Sequence, residues 1–163
     1  MSIIDQVAQT VYDWNWATQI RESEVVFPVI ESVHVMALAL IVGTIAMVDL
    51  RLLGFILREA PAMDVEKRVV PVTWAGFAVM AVSGLLLLAS EAAKIVHNPA
   101  FIAKLVLLTL AGLNVAFFHL RAKPLLQAAP VEDPAPLPAR VGAGLSLGLW
   151  VAVIAAGRAI AYF

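Results

Sequence analysis

Four long apolar runs, separated by short polar stretches, set most of what this chain can fold into. The first extends from about Phe27 to Leu57 and is interrupted by Glu31, His34, Asp49 and Arg51. The second lies between Arg68 and Glu91 with no charged residue inside it. The third runs from Pro99 to about Leu120 with Lys104 as its only charge, and the fourth lies between Arg140 and Arg158. Each meets the length of about 20 mostly apolar residues that a membrane span requires. Inside lipid every backbone N–H and C=O must be satisfied internally, so these segments are expected to be helices. The fold class that follows is an all-α integral membrane four-helix bundle over residues 25–163. Its spans fall near 27–57, 69–90, 99–120 and 140–161.

Composition agrees. Apolar residues make up 62% and charged residues 14% of the chain, against about 45–50% and about 25% in soluble domains. A formal charge of −1 gives a nucleic-acid partner no electrostatic basis. With no cysteine, a disulfide framework, a thiolate metal site and covalently attached c-type haem are excluded.

The connections fit the same plan. "REAPAMDVEKR" (58–68) is polar, and "AKPLLQAAPVEDPAPLPAR" (122–140), with five prolines, reads as an extended linker. "SEAAKIVHNPA" (90–100) is short, which predicts that spans two and three are antiparallel neighbours. Asn98 before Pro99 is an N-cap candidate. In residues 1–24, Ile3, Val7, Val11 and Trp14 recur at helical spacing, the pattern of an amphipathic helix lying in the membrane interface. That segment lacks the basic start and long apolar core of a cleavable signal.

Lys and Arg placement gives an orientation. Arg51, Arg58, Lys67, Arg68, Arg121, Lys123 and Arg140 fall on one side, while Arg21, Lys94 and Arg158 fall on the other. The basic side is expected to be cytoplasmic, so that both termini face the outer, periplasmic side of an inner membrane.

Ionisable groups inside a bilayer are costly and normally face protein. On the first span Asp49 lies on the helical face of Glu31, with His34 about 60° away. On the third, His97, Lys104, Ala111 and His119 share a sector of about 60°. Two such stripes predict that spans one and three face each other. By helical rise, Glu31, His34, His97 and Lys104 form an outer cluster. Asp49, His119 and Arg121 form an inner one, with Asn114 and Thr44 between them. A Glu31–Lys104 ion pair that fixes helix register is the plain reading of two of these residues. The functional reading makes Lys104 a partner for haem propionates or another anion. Glu31-x-x-His34 has the i, i+3 spacing of carboxylate-bridged metal sites in bundles. Those sites need two such motifs, and this chain has one, so the expected metal set is mononuclear, from Glu31, His34 and His97 or His119, with copper among the candidates. Haem b needs only axial histidines on facing helices, and His34 with His97 would supply them. His119 is placed beside Asp49 and Arg121, where these residues and Asn114 would serve as a proton path or as the second shell of a metal. Gly144, Gly148, Ala152 and Ala156 form a small-residue row on the fourth span. Such a row suits close helix packing, a homo-oligomer contact or the flat face of a cofactor.

The blocks "FPVIESVHVMALALIVGTIAMVDLRLLG" (27–54), "PVTWAGFAVMAVSGLLL" (71–87) and "NPAFIAKLVLLTLAGLNVAFFH" (98–119), in this order, resemble a family of small four-span bacterial inner-membrane proteins of unknown function. The resemblance implies that Glu31, His34, Asp49, Arg51, Trp74, Gly76, Lys104, Asn114 and His119 are its recurrent positions; His97 stands outside that pattern. More distantly, the bundle is similar to cytochrome b561-type haem proteins and to copper-resistance D-type proteins. The expected function is therefore a haem- or copper-binding redox protein that moves electrons between a membrane quinone or quinol and an outer-side acceptor. Proton or metal-ion transport, and a structural subunit of a membrane complex, are the alternatives from other classes.

Overall fold

The computed structural model describes residues 2–128 and 135–163. Two short helices, α1 (Ile3–Tyr12) and α2 (Asn15–Glu22), precede the long helices α3 (Val26–Leu52), α4 (Ala62–Ile95) and α5 (Pro99–Phe117). A π-helical turn (Phe118–Ala122), α6 (Lys123–Ala128), α7 (Leu137–Ala159) and a 3₁₀ turn (Ile160–Tyr162) complete the chain. Four of these segments, Val26–Leu52, Ala62–Ile95, Pro99–Ala128 and Leu137–Tyr162, are long and apolar enough to cross a membrane. The protein is a multi-pass, all-helical membrane bundle.

Several boundaries differ from the sequence-based expectation, each for a local reason. The first span stops at Leu52 instead of Leu57. Gly54 adopts φ +78°, its N–H bonds the Arg51 carbonyl, and the Phe55 N–H bonds the Leu50 carbonyl. These paired bonds close a helix on a left-handed residue. Much of the polar stretch 58–68 is helix, because α4 starts at Ala62 after Pro61, and Pro71 lies inside α4 without ending it. The expected linker 122–140 is helical over Lys123–Ala128, continuing from the π-helical turn, with Pro124 just past it; its residues 129–134 lie outside the described residues. The N-terminal segment is two helices, broken at Asp13–Trp14.

Packing is dominated by the pairs α3–α4 and α5–α7, with α3–α7 joining them. Spans two and three are consecutive without being principal neighbours, and α7 stands between α3 and α5, so the predicted direct facing of spans one and three does not hold. The central cluster, Ala37, Ile41, Met80, Trp150 and Val153, is supplemented by Leu107 and Leu108 from α5. A second cluster, at the end of the bundle away from the termini (called inner after the expected orientation), joins Leu52, Ala62, Ala122, Ala139 and Ala143. Alanine recurs among the buried residues. Lipid tails are as apolar as leucine, so helix association in a membrane relies on close backbone approach and packing. At Gly76 an added Cβ would lie 3.1 Å from Ile41 Cγ1, which shows how tightly α3 and α4 meet.

Polar contacts lock both ends. At the end that carries the termini, called outer on the same expectation, the Arg21 guanidinium donates to the Tyr12 carbonyl at 3.1 Å and to the Ser90 carbonyl at 3.0 Å. The guanidinium also lies 3.7 Å from the Tyr12 ring centroid, tying α1 and α2 to the end of α4. At the inner end, buried Arg51 donates from Nε to the Ala60 carbonyl at 2.7 Å and from Nη2 to the Arg58 carbonyl at 3.2 Å, gathering the α3–α4 loop. Lys123 on α6 meets the buried Glu66 carboxylate on α4 at 2.7 Å.

Candidate ligand site in the outer half of the bundle

The site is built around His34. Its Nδ1 lies 3.0 Å from Ser83 Oγ on α4. The Ser83 hydroxyl reaches two backbone acceptors, the Val79 carbonyl at 2.7 Å and the Met80 carbonyl at 3.2 Å. A serine hydroxyl has one proton, and spending it on these carbonyls leaves the oxygen to accept N–H from the imidazole. In that arrangement Nδ1 carries the His34 proton and Nε2 the lone pair; the ring also hydrogen-bonds the Met80 carbonyl, a second contact that calls for a protonated ring nitrogen. The ring lies against Gly84, where a Cβ would sit 3.0 Å from His34 Cε1. A side chain at this position would press on the imidazole, so the glycine lets the ring lie close against α4.

Lys104 reaches the site from α5. Its side chain runs along Gly157 of α7, where an added Cβ would lie 3.6 Å from Nζ. The ammonium is close enough to act electrostatically on the His34 ring. Among the described residues no carboxylate or carbonyl accepts from it. All four spanning helices thus contribute: His34 from α3, Ser83 and Gly84 from α4, Lys104 from α5 and Gly157 from α7. The chemical offer is one cationic donor beside one imidazole acceptor, a pattern suited to a polar headgroup that carries both an acceptor oxygen and a hydroxyl.

The remaining sequence-predicted residues do not join this pair. Glu31 is exposed and forms no ion pair with Lys104. The buried face of α3 runs through Ala37 and Ile41, and Glu31 is turned about 80° from Ile41 around the helix. His97 lies past the end of α4, with its side chain 71% exposed and Nε2 2.6 Å from Asp5 Oδ1 of α1. Along α4 it is about 20 Å from the level of Ser83, so His34 and His97 cannot ligate one iron. His119 and Arg121 are exposed. The His119 ring stacks edge-on with Phe118, and Arg121 lines an open groove of about 580 Å³ with Phe117, Leu120, Pro124, Leu125 and Pro138. Neither reaches Asp49. Among the described residues no group of three His, Asp or Glu could hold a metal ion, so the expected set of Glu31, His34 and His97 or His119 is not assembled.

Asp49 and Asn114 meet α7 instead of each other. The Asn114 Nδ2 donates to the Gly142 carbonyl at 3.0 Å, and Ser146, one turn along α7, hydrogen-bonds Asp49. Of the small-residue row, Gly144 and Gly148 are exposed, with open space where a side chain would go, so their part of the row does not pack inside the bundle. Trp74 is also exposed. Ser83, Gly84, Ser146 and Gly157 were not singled out in the sequence. The one available signal was a Ser-Gly pair in the middle of an otherwise apolar span.

Fold and site together define a four-span helical membrane protein with a cluster of polar side chains in one half of its bundle. The chain belongs to a family of unknown function, DUF6644, whose model matches residues 23–163; the match begins beyond α1 and ends with the chain. No curated protein and no solved structure matches it.

Proposed function

We propose that this protein binds the headgroup of a membrane quinone or quinol at the His34–Lys104 site. It would act in the bacterial inner membrane, in electron transfer toward an acceptor on the outer side. The observation that carries this reading is a Lys104 ammonium with no acceptor among the described residues, acting on an imidazole that is tied to α4 through Ser83 and the Met80 carbonyl and has a second ring nitrogen to offer. A lysine in a span costs about 2.5–3.5 kcal/mol near the membrane centre, and a bound acceptor oxygen offsets that cost. The ammonium would donate to a quinone carbonyl oxygen, and His34 Nε2 would accept from a quinol hydroxyl. The excess of Lys and Arg on the loop side opposite the termini supports an orientation with this site near the outer face.

Haem b or copper was the cofactor expected from the sequence, and the residues do not fit either within one chain. His34 stands alone in the outer half, with Gly84 closing one face of its ring, and no metal-holding group forms among the described residues. The chain's own residues therefore bind and orient a headgroup, and the electron acceptor belongs to a partner. The four-span plan shared with cytochrome b561-type and copper-resistance D-type bundles is an architecture and does not transfer their chemistry.

The test is extraction of lipophilic cofactors from protein purified in mild detergent from quinone-replete membranes. Wild type is expected to carry quinone near one equivalent, and folded His34→Ala and Lys104→Met variants to carry at least tenfold less. Equal quinone content in all three would overturn the assignment.

A further inference from the structure

Asp49 is used by nothing in the outer site. It is 6% exposed, and its Oδ2 has no hydrogen-bond partner among the described residues. Ser146 is the polar neighbour that acts on it, and no charged side chain among the described residues does. Among the described residues, the other charged groups at this end of the bundle are held elsewhere or exposed. On its own helix, Arg51 donates to the Ala60 and Arg58 carbonyls. On α4 and α6, Glu66 and Lys123 bond each other. Arg140 of α7 and His119 and Arg121 of the π-helical turn are exposed. An isolated carboxylate buried without a counter-ion is among the most costly arrangements in a protein, and the group avoids it by neutralising.

We infer that Asp49 is a reversible proton-binding site in the inner half of the bundle, held as a neutral carboxylic acid by its burial beside Ser146. The choice of a proton over a metal cation follows from the number of oxygens. A sodium or calcium ion needs about six, whereas a proton needs one. Among the described residues the oxygen-bearing side chains here are Asp49 and Ser146, with the Asn114 amide against Gly142, one turn along α7, and the nearby Thr44 hydroxyl is occupied by the Ile41 carbonyl and the Thr73 hydroxyl, each at 2.9 Å. Asp49 lies one turn inside the end of α3, beneath the cluster of Leu52, Ala62, Ala122, Ala139 and Ala143. Proton exchange is therefore with the inner side. The route outward is closed by Ile41, Met80, Trp150 and Val153, and His34 lies about 22 Å away along the helix. The inner proton site and the outer headgroup site are separate.

The experiment is infrared spectroscopy of the intact protein labelled with ¹³C at the aspartate side-chain carboxyl, as a function of pH and of sodium. At neutral pH one un-ionised, isotope-shifted carboxyl C=O band is expected, lost at alkaline pH, insensitive to sodium and missing in Asp49→Asn. In Ser146→Ala the band should persist at a shifted frequency, because a hydrogen bond to the acid is lost. Absence of an un-ionised aspartic acid in the labelled wild-type protein overturns the inference without reliance on any variant. Persistence of the band in Asp49→Asn, or its conversion to carboxylate on sodium addition, overturns it equally.

Discussion

His34 Nδ1 and Ser83 Oγ are 3.0 Å apart across the α3–α4 interface, and that one bond decides what the imidazole can do. With the serine hydroxyl proton on its own helix, the histidine donates through Nδ1 and keeps Nε2 as an acceptor, the tautomer the headgroup reading requires. A membrane histidine often serves only as interhelical glue. Here one nitrogen is the glue and the other is left for a ligand.

Lys104→Met should separate function from stability. Removing a half-buried ammonium that meets no acceptor among the described residues relieves a cost and should leave stability unchanged or raised by up to about 2.5 kcal/mol. Quinone binding should fall at least tenfold. Unfolding in denaturant alongside binding measurements checks both, and a clear loss of stability would show that Lys104 has a structural partner.

Two glycine substitutions should behave oppositely. Gly84→Ala drives a methyl to 3.0 Å from His34 Cε1, and overpacking of this kind costs about 1–3 kcal/mol; it should also displace the imidazole and weaken binding. Gly148→Ala enters open space and should lie within about 0.5 kcal/mol of wild type or above it. A matched pair of melting curves and quinone titrations reads the difference.

The Glu66–Lys123 pair fastens α6 to the inner end of α4 at 2.7 Å. Lys123→Ala leaves a buried carboxylate without its cation and is expected to destabilise by about 3 kcal/mol. Glu66→Gln together with Lys123→Met should recover much of that loss, as chemical denaturation of the three proteins would show.

α1 is held to the outer end by His97 Nε2 at 2.6 Å from Asp5 Oδ1, and that hydrogen bond holds the Asp5 carboxyl below its ordinary value of 3.8. A depressed carboxylate contributes stability that is present above its ordinary value and lost as pH falls through the lowered one. Hydrogen exchange over residues 3–12 should accordingly be slow at neutral pH and rise below that value. Asp5→Asn should exchange faster already at neutral pH. Exchange that does not respond to acid would mean that the contact does not hold the helix.

The four spans were legible because lipid demands long apolar helices and the chain contains four such runs. Their ends were less legible, since a left-handed Gly54 and a buried Glu66 are decided by contacts that periodicity does not report. In the site, helical rise placed His34 and Lys104 at one depth, and in the fold the Lys104 ammonium acts electrostatically on the His34 ring. Glu31, His97 and His119 were assigned by depth and sector alone. Whether α7 or α5 stands opposite α3 is a property of the packed bundle, and it left Glu31 outside and His97 on α1. Ser83 and Ser146 escaped notice because a serine in an apolar span usually satisfies its own helix, and only the neighbouring helix shows that each does more.

The most direct measurement is ¹⁵N NMR of the imidazoles, in a chain with three histidines, with and without a short-chain quinone and its quinol. The ligand-free His34 ring should show a proton on Nδ1 and none on Nε2, and quinol should shift His34 Nε2 while His97 and His119 stay unchanged. A His34 ring with its proton on Nε2, or one indifferent to saturating quinol, would contradict the headgroup site.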